Sequence, residues 1–252
     1  MVLRHHASPR MGPAVRRCRA CRRSVVPVLV CVACGAGATS AFARKPPKQQ
    51  PPPPPPPTAT STGTVALWHM DETSGTVMTD SVGGHTGSLH SVQLGQPGFL
   101  GTAYGFSGSG YVSVPSAADL NPGSANLTVT IHIKTTSAPA TPDWDIIRKG
   151  LYTTPGGEWK MEYQPSGQAS CGFKGSSGYS ELIAGPSIKD GRWHTVQCRK
   201  TSSSIQVIVD GQAFSKAANV GSIANSVDMA IGARPGSEYF RGSLDEASVT
   251  LG

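Results

Sequence analysis

Few residues of this chain have the type and spacing that chemistry would need. Glu158-Trp159-Lys160-Met161-Glu162 brings two carboxylates to one side of an extended segment, because alternate side chains of a strand share a face. Retaining glycoside hydrolysis uses two carboxylates about 5–5.5 Å apart, one as nucleophile and one as acid/base. Glu158 and Glu162 lie four positions apart with Lys160 between them and no central Asp, which predicts an outward polar strand face and no catalytic pair. No Ser-His-Asp grouping can be assembled around His194, so no catalytic residue is assigned. Trp144, flanked by Asp143 and Asp145, reads as an aromatic on a loop and is the leading candidate to contact a ligand; packing over one end of the fold is the alternative.

The cysteines fall into two sets. Cys18, Cys21, Cys31 and Cys34 form CxxC…CxxC, a pattern that in a folded ribbon would hold zinc. Here the spacer is Arg22-Arg23 followed by an apolar stretch, shorter than zinc sites use, so these thiols are expected to leave with a targeting segment. Cys171 and Cys198 are then the remaining pair, and an even number in an exported domain predicts a disulfide.

The elements that would carry these residues are unequal in character. Residues 1–43 hold seven arginines and no acid, and they account for the +7 of the whole chain. From Thr64 onward 12 Lys+Arg face 15 Asp+Glu, a balance of −3. Nucleic-acid binding by this part is excluded as an expectation, since the basic footprint it needs is missing. A basic region ending at Arg23, an apolar stretch from Ser24 to Gly37 and the small-x-small run Ala41-Phe42-Ala43 read as a signal peptide cleaved after Ala43. That stretch is shorter than the roughly 20 residues a membrane span requires and it contains Pro27, so no integral span is expected in the mature chain. Arg22-Arg23 fits either a twin-arginine signal or an ordinary arginine-rich secretory one. Both routes make the protein secreted or surface-associated.

Residues 44–63 read as a linker, in which Pro51 to Pro57 would form a polyproline II rod of about 22 Å. Residues 64–252 read as one domain with no helical periodicity. Asn126 to Lys134 alternates Leu127, Val129, Ile131 and Ile133 against polar residues. Ile205, Val207 and Val209 lead into Asp210-Gly211, a strong hairpin signal. Further strands are expected at 64–69, 103–106, 111–114, 145–149, 159–164, 169–173, 179–183, 195–200, 212–216, 227–231 and 242–250. So many short strands at close spacing predict an all-β, antiparallel two-sheet β-sandwich or jelly roll. With Ala169, Cys171 and Phe173 on one face and Val196 and Cys198 on another, inward placement of both sets brings the two thiols together.

Several stretches, taken in order, resemble the LamG-like jelly-roll domain of the concanavalin A-like lectin/glucanase superfamily, in versions common in exported bacterial proteins. They are Leu67-Trp68-His69-Met70-Asp71-Glu72-Thr73-Ser74-Gly75, Asp80-Ser81-Val82-Gly83-Gly84-His85-Thr86-Gly87, Tyr104 to Val112, Ile147-Arg148-Lys149-Gly150, Trp193-His194, Val209-Asp210-Gly211 and Leu244-Asp245-Glu246. Ser243-Leu244 departs from the usual Leu/Ile-Ile. The resemblance places the first and last strands side by side, which would gather Asp71, Asp80 and Asp245, with Glu72 and Glu246, near one edge. Calcium takes six to eight oxygen ligands, and these acids with the Gly-rich loop after Asp80 would supply them. The alternative is that they cap turns and bind strand-end amides. Trp68 and Trp193, inside strand motifs, are expected in the core. By resemblance to lectin-like relatives the chain is expected to be a non-catalytic module that binds polysaccharide or cell-surface glycoconjugate. A structural or adhesion module binding a protein partner is the alternative, and a glycoside hydrolase a third.

Overall fold

The computed structural model describes residues 62–140 and 142–252; the expected signal peptide, its four cysteines and the proline run lie outside the described residues. In chain order the strands are β1 (Gly63–Trp68), β2 (Val77–Met78), β3 (Gly87–His90), β4 (Gln93–Pro97), β5 (Thr102–Ser107), β6 (Tyr111–Val114), β7 (Leu127–Lys134), β8 (Trp144–Lys149), β9 (Glu158–Tyr163), β10 (Ala169–Gly175), β11 (Gly178–Ala184), β12 (Trp193–Lys200), β13 (Ser204–Val209), β14 (Gln212–Ala217), β15 (Met229–Ile231) and β16 (Arg241–Leu251). One 3-10 turn, Ala118–Leu120, is the only helical element among the described residues. No helix there is long and apolar enough to cross a membrane.

The strands form two antiparallel sheets packed face to face. Sheet 1 runs β14-β13-β12-β7-β16-β5-β4, with β1 also paired to β16, and sheet 2 runs β11-β10-β9-β8-β15-β6-β3-β2. Period-2 alternation is the cause. Along β7 the residues Leu127, Val129, Ile131 and Ile133 are buried while their neighbours are half-exposed, so one face must be covered. Along β9 Trp159, Met161 and Tyr163 are the residues that sheet 2 turns into the core. Phe173, Trp68, Tyr104 and Phe240 complete the bulk of the core between the sheets.

The β13–β14 hairpin turns on Asp210 at φ 51° and Gly211 at φ 83°, both in the left-handed region that a two-residue turn of matching twist requires. Strands β2, β3 and β4 have no counterpart among the expected ones. They are short, and Gly87, Gly95 and Pro97 leave them without the β-branched alternation by which the others are recognised. Trp193 opens β12 on the outer face of sheet 1. It is half-buried beside Phe99 and Lys134, not in the core as its motif implied.

Cys171 of β10 and Cys198 of β12 form a disulfide that ties sheet 2 to sheet 1 through the core, with Cα atoms 5.4 Å apart. In the chain-entropy model, closing a loop of this length stabilises the fold by about 3–4 kcal/mol. Replacing both cysteines by Ala is expected to lower the unfolding free energy by at least about 3 kcal/mol, read from urea midpoints, because the change also opens space in the core. An unchanged midpoint would show that the bridge does not constrain the chain.

Candidate functional site: the outer face of sheet 2

The aspartates expected to gather do not form one site. Asp80 is buried and saturated: Oδ1 accepts from the N–H groups of Leu67 and Val82, each at 2.9 Å, and Oδ2 from Gly83 at 3.0 Å and His85 at 2.9 Å. His85 lies between two acids, with Nδ1 2.8 Å from Asp80 Oδ2 and Nε2 2.9 Å from Asp119 Oδ1. Burial would raise the Asp80 carboxyl, but the amides of Leu67, Val82 and His85 hold it below the ordinary range. Asp245 and Asp71 serve a different loop. Asp245 Oδ2 accepts from Phe99 N–H at 2.7 Å and Leu100 N–H at 3.0 Å, and Asp71 Oδ1 from Thr102 N–H at 2.7 Å. Gly101, at φ 58°, lies so close that a Cβ there would sit 2.3 Å from Asp71 Oδ1. Glu72 accepts from Thr79 N–H and Tyr104 O–H, and Glu246 pairs with His69 at 2.9 Å. These carboxylates are therefore oriented toward N–H and O–H donors, and no group of three metal-ligating side chains converges among the described residues. In this arrangement the acids act as loop caps, the alternative that the sequence offered beside a calcium site.

Trp144 is not on a loop. It opens β8 opposite Tyr163, lies 6.0 Å from that ring and 5.9 Å edge-on from Phe240, and packs against the core. Packing over the sandwich end is what its position gives it.

A different set of residues converges on the outer face of sheet 2. The pairing register puts Ser88, Ser113, Ala230, Arg148, Lys160, Gly172 and Glu181 in one row across seven strands, from β3 to β11. Beside it run Asp145, Glu162 and Ser170 on one flank and Glu158, Lys174 and Tyr179 on the other. This is the face on which Glu158, Lys160 and Glu162 were expected to meet solvent. Instead Glu158 and Glu162 are only 1% and 2% exposed. The residues between β8 and β9, around Leu151 and Tyr152, and those between β15 and β16, around Arg234 and Glu238, arch over them. Glu238 adopts φ 53°, a costly conformation for a side chain with a Cβ, and its carbonyl accepts from Asp145 N–H at 2.9 Å.

The covered charges are ordered around Arg148. Its Nη1 donates to Asp145 Oδ2 at 2.6 Å, its Nη2 to Glu158 Oε2 at 2.9 Å and its Nε to Gly150 O at 3.0 Å. Lys160 pairs with Glu162, and Arg234 with Glu238 at 3.0 Å. Gly172 makes the first of these pairs possible, since a Cβ there would sit 2.6 Å from Lys160 Cε. Burial pushes the Glu162 carboxyl up to about 7 against the pull of Lys160, with Asp143 and Glu181 adding to the rise. Burial likewise raises Asp145 well above its ordinary value, despite Arg148.

Two cavities open on this face and share Arg148, Leu151 and Arg234. One is a groove of about 730 Å³ over β3, β6 and β15, with His90, Tyr111, Ser113 and Asp228 among its walls. His90 and Tyr111, cross-strand partners, stack with centroids 4.4 Å apart, and Tyr239 lies 6.4 Å from Tyr111. The other is a pocket of about 210 Å³ between the arching loops, walled by Asp143, Glu158, Lys160, Glu162 and Glu238 beside the shared arginines. Tyr152, 57% exposed, stands at this pocket, edge-on to Tyr179 with centroids 5.4 Å apart.

Fold and groove together define a class, the two-sheet β-sandwich with an open groove across one sheet. The chain belongs to the concanavalin A-like lectin/glucanases superfamily, whose Laminin_G_3 model matches residues 106–250. Among solved structures it is similar to the binding domain of Paraclostridial Mosquitocidal Protein 1, with a TM-score of 0.60 and 13% identity over 75% of this chain and 48% of that one. Domain 4 of AbnA, a GH43 extracellular arabinanase from Geobacillus stearothermophilus, in complex with arabinotriose, gives 0.59 and 17% over 76% and 94%. The binding domain of botulinum neurotoxin DC, in complex with SialylT, gives 0.54 and 11% over 75% and 48%. The chain thus spans about half the length of the toxin chains it matches and nearly all of the arabinanase domain. At these identities the likeness is one of fold. No curated protein matches the sequence.

Two outcomes follow from the geometry. Because Asp71, Asp80 and Asp245 bind amides, a chelator is expected to leave the melting temperature unchanged, whereas Asp80→Ala should cost about 2–4 kcal/mol in urea unfolding; a chelator-induced fall would contradict this. The second concerns Glu162. Its folded value of about 7 lies above the ordinary 4.5, so between those values the folded form keeps a proton that the unfolded form has lost. Stability must then decline as pH rises from about 4.5 to 7. Glu162→Gln should flatten that decline by about 1–3 kcal/mol, measured as unfolding free energy across the window.

Proposed function

We propose that this chain is a non-catalytic module that binds polysaccharide or cell-surface glycoconjugate in the groove on the outer face of sheet 2. The observation that carries the reading is that the groove and the adjoining pocket lie on one face and share Arg148, Leu151 and Arg234. A stacked His90–Tyr111 pair and Tyr239 stand at one end, Tyr152 and Tyr179 at the other, with fixed charged hydrogen-bonding groups between them. Sugar rings present apolar faces and polar edges, and a surface alternating aromatic rings with fixed polar groups answers both. The arabinotriose and SialylT complexes of proteins with this fold support a glycan ligand as analogy.

Hydrolysis is disfavoured by spacing. Four residues along a strand put the backbones of Glu158 and Glu162 about 13 Å apart, with Lys160 between them, and Glu158 is already committed to Arg148. The basic leader and proline-rich linker read from the sequence fit a secreted or surface-associated module.

The test is a polysaccharide and glycan array probed with the purified chain, with calcium and then with chelator. Binding to at least one glycan class in both conditions is expected, with loss when Tyr111 and Tyr152 are replaced by Ala. An array without binding would overturn the glycan reading and favour a protein-binding module, and reducing-sugar release from a bound polysaccharide would overturn the non-catalytic one.

A further inference from the structure

The 210 Å³ pocket carries a charge imbalance that its own residues do not resolve. Asp143, Glu158, Glu162 and Glu238 wall it and Asp145 lies beneath Arg148, while Arg148, Lys160 and Arg234 are its cations. Including Glu181 and Lys174 on the neighbouring strand positions, six acids meet four bases. Each of the three lining cations is already paired: Arg148 with Asp145 and Glu158, Lys160 with Glu162, Arg234 with Glu238. Lys174 donates to the Tyr152 carbonyl and lies over the Tyr152 ring at 4.1 Å.

Four buried carboxylate oxygens are left with no hydrogen-bond partner among the described residues. They are Asp143 Oδ1, Asp145 Oδ1, Glu158 Oε1 and Glu162 Oε2. Three of these residues line the pocket, and Glu158 and Glu162 are almost wholly withdrawn from water. Unpaired buried carboxylates are costly, and a group so placed recovers stability by taking a proton or a cation. The upward displacement of Glu162 and Asp145 by burial is the first of these responses.

A ligand hydroxyl would donate a hydrogen bond but leave the excess negative charge in place. An ammonium group supplies three donors and a positive charge at one point. A guanidinium is planar and suited to a bidentate carboxylate, whereas the free oxygens here come from separate side chains on different positions. The pocket, about 210 Å³ in volume, shares Arg148, Leu151 and Arg234 with the groove.

We propose, on the glycan-binding reading above, that this pocket receives the protonated amine of an amino sugar. The module then prefers glucosamine-type units with a free amine over their N-acetylated or neutral counterparts. Acetylation removes both the charge and two of the donors and adds bulk where the carboxylates close in. Uronic acids bring a charge of the wrong sign.

Isothermal titration of the purified chain with oligosaccharides of glucosamine, N-acetylglucosamine, glucose and galacturonic acid, at pH about 7, where part of the amine is protonated and the pocket acids can exchange their protons for it, tests this. The expected result is that the glucosamine oligomer binds about tenfold or more tightly than the acetylated and glucose oligomers, with no binding of galacturonate. Glu158→Gln and Glu162→Gln should each narrow the ratio of glucosamine to glucose affinity toward one, the ratio being the readout whatever either change does to binding overall. Should either variant fail to fold, the four-ligand comparison on the unaltered chain decides alone. Equal or tighter binding of the neutral or acetylated oligomers would overturn the amine assignment and leave the glycan reading standing. Binding of none of them, on a chain that also fails on the array, would overturn both.

Discussion

Arg148 points outward from β8 yet is withdrawn from water, and a guanidinium in that position is tolerated only when every side of it is paired. Its three partners are Asp145 one turn of the pleat away, Glu158 across the hairpin and the carbonyl of Gly150 where β8 ends. Each bond fixes something beyond itself. The Gly150 contact sets the exit of the loop that carries Leu151 and Tyr152, and the Asp145 contact holds the strand bulge opposite Glu162. The Glu158 contact keeps the first residue of β9 under that loop. Both cavities on sheet 2 have Arg148 in their walls, so the side chain that organises the buried charges is common to the groove and the pocket.

The rest of the sandwich serves to hold that face still. Large core rings back sheet 2 from within, the disulfide joins β10 to β12, and aspartates at the opposite end of the molecule's loops spend their lone pairs on backbone amides. Such a division is economical for recognition. A groove made on paired strands keeps its shape, and the loops over it need only be anchored at their ends. The left-handed backbone of Glu238 is one such anchor: its carbonyl caps Asp145 while its side chain faces Arg234.

The fold was legible because its signal is local. Alternation along β7, β9 and β13 and the Asp210-Gly211 turn each fix an element within a few residues, and the two cysteines on inward positions of β10 and β12 could be placed by parity alone. The short strands β2, β3 and β4 were not legible, since they are held by pairing with distant partners and lack an alternating pattern of their own. The candidate site was half visible. Parity showed that Glu158, Lys160 and Glu162 share the outer face; it could not show that two loops fold over them, because burial of an outward face is a tertiary event. For the same reason the sequence could not show that Asp71 and Asp245 hold the loop from Phe99 to Thr102 while Asp80 holds the one before His85. The sequence clue that went unused is the density of charge between Asp143 and Glu162 in a domain otherwise sparing with it.

The most direct test of the account is where on the molecule a bound glycan acts. Backbone amide NMR shifts, followed while an oligosaccharide that the protein binds is titrated in, report this without any variant. The account expects the largest changes along the row Ser113, Ala230, Arg148, Lys160, Gly172 and Glu181 and in the Leu151 and Arg234 loops, with sheet 1 unmoved. Changes confined to the outer face of sheet 1, around Phe99, His132 and Trp193, would contradict it and move the binding face to the other side of the sandwich.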